Sequence, residues 1–199
     1  MSAGLPTAFP VGLLPSPVLN GPFLWYATRA AGLVTMILLT ASMVLGILNA
    51  GRFGTSRLPR FLMQGLHRNL ALLALAFLAL HVGTTVIDTY TSIGLQAAFV
   101  PFVSSYKRFW LGLGALACDL LLTLVVTSLL RQRIGHRGWR VVHWAGYLCW
   151  PVAMAHGLGA GTDHARLWVL VLTCGCIGAV AGSAIYRAVR AIPARGLAR

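Results

Sequence analysis

The chain has 199 residues, of which 58% are hydrophobic and 10% charged, and its mean hydropathy is +0.79. These values place it among integral membrane proteins with one membrane domain and exclude a soluble enzyme of similar length. The formal charge of +13, from 16 Lys and Arg against 3 Asp and Glu, reads as membrane topology. No basic patch interleaved with exposed aromatics remains once the spans are drawn, so nucleic acid is excluded as a partner.

Residues 1–23 carry no charged side chain and contain Pro6, Pro10, Pro15, Pro17 and Pro22. They predict an irregular, uncleaved extracytoplasmic arm, because proline breaks a helix and the basic start of a secretory signal is lacking. Five apolar stretches follow, at about Trp25–Leu48, Leu66–Ile87, Phe109–Leu130, Val141–Leu158 and Leu167–Tyr186. Each approaches the ~20 residues that span a bilayer, and the fourth, which holds Pro151, is the shortest. The predicted fold is an all-α integral membrane bundle of about five transmembrane helices. A membrane domain covers residues 24–187, and a basic cytoplasmic tail covers 188–199.

Arginine sets the orientation. Arg52, Arg57 and Arg60 lie on one set of connections with Arg131, Arg133, Arg137 and Arg140, and with Arg187, Arg190, Arg195 and Arg199 in the tail. The positive-inside rule makes that face cytoplasmic, with the N-terminus outside and the C-terminus inside, as an odd number of spans requires. The segment Ser92–Tyr106 is apolar but interrupted by Pro101, and predicts a lid lying along the outer interface. Gly178 and Gly182 form a small-xxx-small pair that predicts close packing of the last helix on a neighbour, and a homo-oligomer is one such neighbour. Cys118, Cys149, Cys174 and Cys176 all lie in apolar segments and predict packing residues.

Four histidines carry the chemistry. His67 and His81 lie 14 residues apart in the second span, and His143 and His156 lie 13 apart in the fourth. Either interval is a rise of roughly 20 Å at about 1.5 Å per residue, so each span has one histidine near each face. Both spans run outward, which pairs His67 with His143 at the inner depth and His81 with His156 at the outer depth. An imidazole in hydrocarbon must have its ring nitrogens satisfied, and ligation of haem iron achieves this. The pattern therefore predicts two haems stacked across the membrane, each with two axial histidines. Fourteen residues leave His67 and His81 about 40° apart around a helix, whereas thirteen leave His143 and His156 about 140° apart. A distortion near Trp150–Pro151 is expected to correct that phase.

His67 is followed by Arg-Asn-Leu, and Trp-Arg-Val-Val leads into His143, with His156 and Gly161-Thr162-Asp163 beyond. These features resemble the ferric reductase-like transmembrane domain family, over about residues 24–187. Relatives include the haem membrane domain of NADPH oxidases and the haem membrane subunit of the bacterial methionine sulfoxide reductase system. The resemblance implies two b-type haems, an inner one on His67 and His143 and an outer one on His81 and His156. Electrons would pass outward to ferric iron or a redox protein.

Only thirteen residues follow Tyr186 and no Gly-x-Gly-x-x-Gly follows a strand, so no flavin or nicotinamide site is expected within the chain. The donor is then a separate flavoprotein or a quinol, and the protein a multi-pass component of a bacterial inner or plasma membrane. Arg29 and Arg68 are the expected partners of the outer and inner haem propionates. Trp150 and Phe77 lie between the two histidine depths and are candidates to fill the gap between macrocycles. Asp119, mid-span, is expected to pair with Arg29 or to bond within the bundle. Lys107 and Arg108 either steer an anionic partner or anchor a helix end. His136 and His164 read as solvated loop residues. Three other readings remain open: a membrane subunit serving an extracytoplasmic flavin or molybdenum protein, a metal or proton transporter, and a haem-free anchor.

Overall fold

The computed structural model describes residues 22–51, 53–54, 59–88 and 93–196, and all their regular elements are helical. The order is α1 (Pro22–Ala50), α2 (Arg60–Ile87), α3 (Gln96–Phe99), α4 (Arg108–Leu129), α5 (Arg131–His143), α6 (Gly146–Ala160) and α7 (Leu167–Gly196). The expected N-terminal arm lies outside the described residues apart from Pro22 and Phe23, which already belong to α1; Arg52, Arg57 and Arg199 of the expected inner connections and tail also lie outside the described residues. Proline suits the first helical position because the N–H it lacks would have no partner there.

Stretches within α1, α2, α4 and α7 are long and apolar enough to cross a membrane. Leu72, Leu73 and Leu80 of α2 and Val171 and Ile185 of α7 are exposed on the outside of the bundle, where hydrocarbon in place of water makes their exposure favourable. The chain is an all-α, multi-pass membrane protein.

The fourth apolar stretch differs from expectation. It is divided between α5, whose arginines are exposed, and α6, which at 15 residues is shorter than a full span. α6 continues through Pro151, and the distortion expected at Trp150–Pro151 lies instead at Trp144–Ala145. There Trp144 N–H reaches Val141 O at 3.3 Å, Ala145 reaches Val142 at 2.9 Å, and Tyr147 and Leu148 reach Trp144 and Ala145 at 3.0 Å each. The break falls where the sequence changes from an Arg-rich amphipathic segment to an apolar one. Each residue turned at about 120° by such i→i−3 bonding, rather than about 100°, removes about 20° from the 140° offset. A second break lies inside α5 at Gly135, whose φ of 75° favours glycine.

α1 packs along α2 and also touches α6 and α7, while α4 packs on α6, α5 and α3. Leu121 and Leu124 of α4 and Cys149 of α6 are buried together against Leu39 of α1 and Leu78 of α2. Buried hydroxyls join the same helices. Thr28 donates to Thr84 at 2.8 Å, and Trp150 Nε1–H donates to Thr40 Oγ1 at 2.9 Å. Near the arginine-bearing end, Arg187 of α7 donates to the Tyr147 hydroxyl at 2.8 Å. Gly178 and Gly182 do not make the expected close contact within the chain, since nothing lies within 4 Å of a Cβ built at either. Trp150→Phe removes the α6–α1 hydrogen bond while keeping the ring, and should lower stability by about 0.6–1.7 kcal/mol, read by thermal unfolding in detergent.

Candidate functional site

The bundle brings the four span histidines together in two pairs. The ring centroids of His67 and His143 are 6.1 Å apart with their planes at 72°, and those of His81 and His156 are 6.3 Å apart at 79°. Two imidazoles approaching one metal ion from opposite sides, at about 2 Å from nitrogen to metal, have ring centres about 6 Å apart. Both pairs therefore have the spacing of trans ligands to a single ion. His67 and His81 come from α2, His143 ends α5 and His156 lies in α6.

Backbone carbonyls fix three of the four rings. Nδ1–H of His67 donates to Ser42 O, that of His81 to Thr28 O and that of His156 to Trp110 O, each at 2.8 Å. A carbonyl can only accept, so the proton sits on Nδ1 and the lone pair on Nε2. This is the arrangement in which metal-binding histidines are held by a partner on the other ring nitrogen. His143 differs, because its Nδ1 is buried with no partner. Its ring stacks on Trp139 instead, with centroids 4.8 Å apart and planes at 28°. Trp139 in turn donates Nε1–H to Ser128 Oγ at 3.2 Å.

The His81–His156 pair lines a cavity of about 330 Å³. Its walls are mostly apolar, from Met36, Leu39, Leu78 and Leu121, and its rim carries Arg29, Thr162 and Asp163. Ile93, Ala97, Ala98 and Tyr106 of the connection before α4 also line it, so this segment covers the site as the sequence predicts of a lid. A cavity of this size, apolar with a charged rim, has the character of a cofactor pocket.

Arg29 lines the rim, but its partner is not Asp119. It forms an ion pair with Asp163, bonds to Thr162 and sits 4.4 Å above the Trp25 ring. Asp119 is half-buried on α4 and makes no hydrogen bond or ion pair among the described residues. Arg68 is exposed at the end of the His67–His143 pair. Phe77 and Trp150 are half-buried and neither lines the His81–His156 cavity. Lys107 anchors a helix end, donating to Gly159 O at 3.4 Å and Ala160 O at 3.1 Å, where the C-terminal carbonyls of α6 favour a cation. Arg108 donates to Phe102 O at 2.5 Å. His136 is exposed beside Trp139, and His164 donates Nδ1–H to Gly161 O at 2.9 Å. The roles of Asp163, Ser128 and Trp139 were not read from sequence, because their partners lie on other elements or a full turn away.

Among the described residues, then, the fold defines a helical membrane protein with two histidine pairs at two depths and a cavity around one of them. The profile of the family described as ferric reductase like transmembrane component matches residues 31–154, and the chain belongs to that family. The match covers His67, His81 and His143 and ends two residues before His156. No curated protein and no solved structure matches the chain.

The Arg29–Asp163 pair ties α1 to the turn between α6 and α7. Arg29→Gln, Asp163→Asn and the double variant should form a thermodynamic cycle with a coupling of about 1 kcal/mol, measured by thermal unfolding in detergent. A coupling near zero would dissolve this tie.

Proposed function

We propose that the protein is a dihaem b-type cytochrome that carries electrons across the membrane to an acceptor at its outer face, either ferric iron or a redox protein. The observation that carries this reading is the approach of the two histidine pairs, with ring centroids 6.1 and 6.3 Å apart, in a chain of the ferric reductase-like family. His67 and His143 would hold the inner haem, and His81 and His156 the outer one. Haem held by two histidines would supply one-electron transfer rather than direct binding of oxygen.

The remaining work falls to the chain. Backbone carbonyls of Thr28, Ser42 and Trp110 hold the Nδ1 protons and keep Nε2 available for iron. The apolar cavity walls exclude water and tune potential. Arg29 on the rim and Arg68 at the inner end are the proposed propionate partners, with Asp163 holding the Arg29 guanidinium in place. Trp150, tied to Thr40, and Phe77 are the aromatic side chains at intermediate depth proposed to fill the space between the two haems.

The domain spans residues 24–187, with α6 and the end of α5 acting as a short fifth crossing. The tail 188–199 is placed in the cytoplasm and the N-terminus outside, in a bacterial inner or plasma membrane. The exposed arginines of α5 support this orientation. The donor is a separate flavoprotein or a quinol.

The test is a dithionite-reduced minus oxidised spectrum of the purified protein, with haem counted per polypeptide. Two low-spin b-type haems are expected, with His81→Ala losing the outer one and His67→Ala the inner one. A haem-free protein from haem-replete cells would sink the proposal in favour of a transporter or anchor.

A further inference from the structure

Each of the three carbonyl-bound histidines also faces a glycine, always four residues beyond the accepting carbonyl on the same helix. Thr28 O accepts from His81 and Gly32 follows. Ser42 O accepts from His67 and Gly46 follows. Trp110 O accepts from His156 and Gly114 follows. In an α-helix the carbonyl of residue i already bonds to the N–H of residue i+4, so an imidazole that reaches this carbonyl from the side must pass over residue i+4. A Cβ there would meet the ring. It would lie 2.6 Å from Nδ1 and Cε1 of His156 at Gly114, 3.0 Å from the same atoms of His81 at Gly32, and 3.3 Å from Cε1 of His67 at Gly46. The absent side chain is thus a notch that admits the ring edge-on.

The notches repeat with the histidines. Thr28 and Ser42, and Gly32 and Gly46, are each 14 residues apart on α1, the interval that separates His67 from His81 on α2. Fourteen residues beyond Trp110 and Gly114 on α4 stand Leu124 and Ser128. The fourth place in the pattern has no glycine. Ser128 instead accepts the Nε1–H of Trp139, whose ring lies against His143, the one of the four span histidines with no carbonyl on Nδ1.

We propose that Gly32, Gly46 and Gly114, with Trp139 braced by Ser128 in the fourth place, are positioning residues that set the orientation of the four imidazoles for iron ligation. The inference rests on the haem reading above. The glycine sets ring approach and the carbonyl sets the tautomer, so losing the notch costs both. A metal-bound histidine deprived of its outer partner typically loses about 10–100-fold in affinity.

The test uses the full-length protein purified from haem-replete cells, with haem per polypeptide and the two midpoint potentials as readouts. Gly114→Ala and Gly32→Ala should each lose or weaken the outer haem by about 10–100-fold while leaving the inner one in place. Gly46→Ala, with the most open notch, should retain both haems and shift only the inner midpoint potential. Trp139→Leu should weaken the inner haem, and Trp139→Phe, which keeps a ring against His143, should restore it.

Gly65→Ala and Gly83→Ala are the controls. Each lies two residues from a histidine on its own helix, with nothing within 4 Å of the added Cβ. Unchanged haem content and potentials in Gly114→Ala and Gly32→Ala would overturn the proposal, as would equal loss in the controls. Site selectivity separates it from misfolding, which would remove both haems together. If the wild-type protein holds no haem, the function proposed above fails, and the notches are then read alone from histidine ¹⁵N spectra. Loss of the Nδ1–H tautomer of His156 in Gly114→Ala supports them, and its retention overturns them.

Discussion

Everything in this bundle turns on what satisfies the second nitrogen of an imidazole buried in hydrocarbon. Water is absent, the helices use their own backbone groups internally, and an unpaired ring N–H costs about 1–3 kcal/mol. The chain meets the demand three times by sharing a helix carbonyl, which retains a second lone pair after its intrahelical bond. That choice dictates much else. A ring can share the carbonyl only if the two helices approach closely, and α1 and α2 pack along most of their length. Their contact is further joined by the Thr28–Thr84 hydrogen bond at the level of His81. The requirement that holds the histidines thus also sets the closest interface of the fold.

Much of this was legible in the chain. The four apolar helices followed from hydropathy, and the juxtaposition of His67 with His143 and His81 with His156 followed from matched rises on two helices running in the same direction. Rise is a local property, fixed at about 1.5 Å per residue, and so survives any error about packing. Phase does not. The correction of His143 relative to His156 was expected at Pro151, the strongest local breaker, yet it occurs at Trp144–Ala145, where polarity changes and the chain leaves the arginine-bearing surface. Tertiary position outweighed the proline, which removes only its own N–H from α6.

The partners of charged residues were the least legible part. Asp119 and Arg29 looked like the natural pair, both being charges within spans, but the ion pair forms with Asp163, in the turn that closes α6 onto α7. A turn beside the rim can bring its carboxylate to Arg29 at the outer end, whereas Asp119 is fixed halfway along α4. The notches were invisible for a related reason. Gly32, Gly46 and Gly114 are ordinary small residues in apolar helices until a histidine of another helix is laid against them.

The two ends of the molecule are built with different stiffness. Around the cavity both histidines, His81 and His156, are bonded to carbonyls of long helices, and the Arg29–Asp163 and Lys107–α6 contacts close the rim above them. Neither ring can turn without breaking a hydrogen bond and colliding with a helix backbone. In the other pair only His67 is held this way. His143 belongs to α5, a short helix interrupted at Gly135, and its neighbour Trp139 is itself held by a single bond to Ser128. Side chains whose rotamers are locked by packing and outer hydrogen bonds keep their geometry more closely than those with fewer such contacts. The His81–His156 pair is therefore the more firmly held of the two.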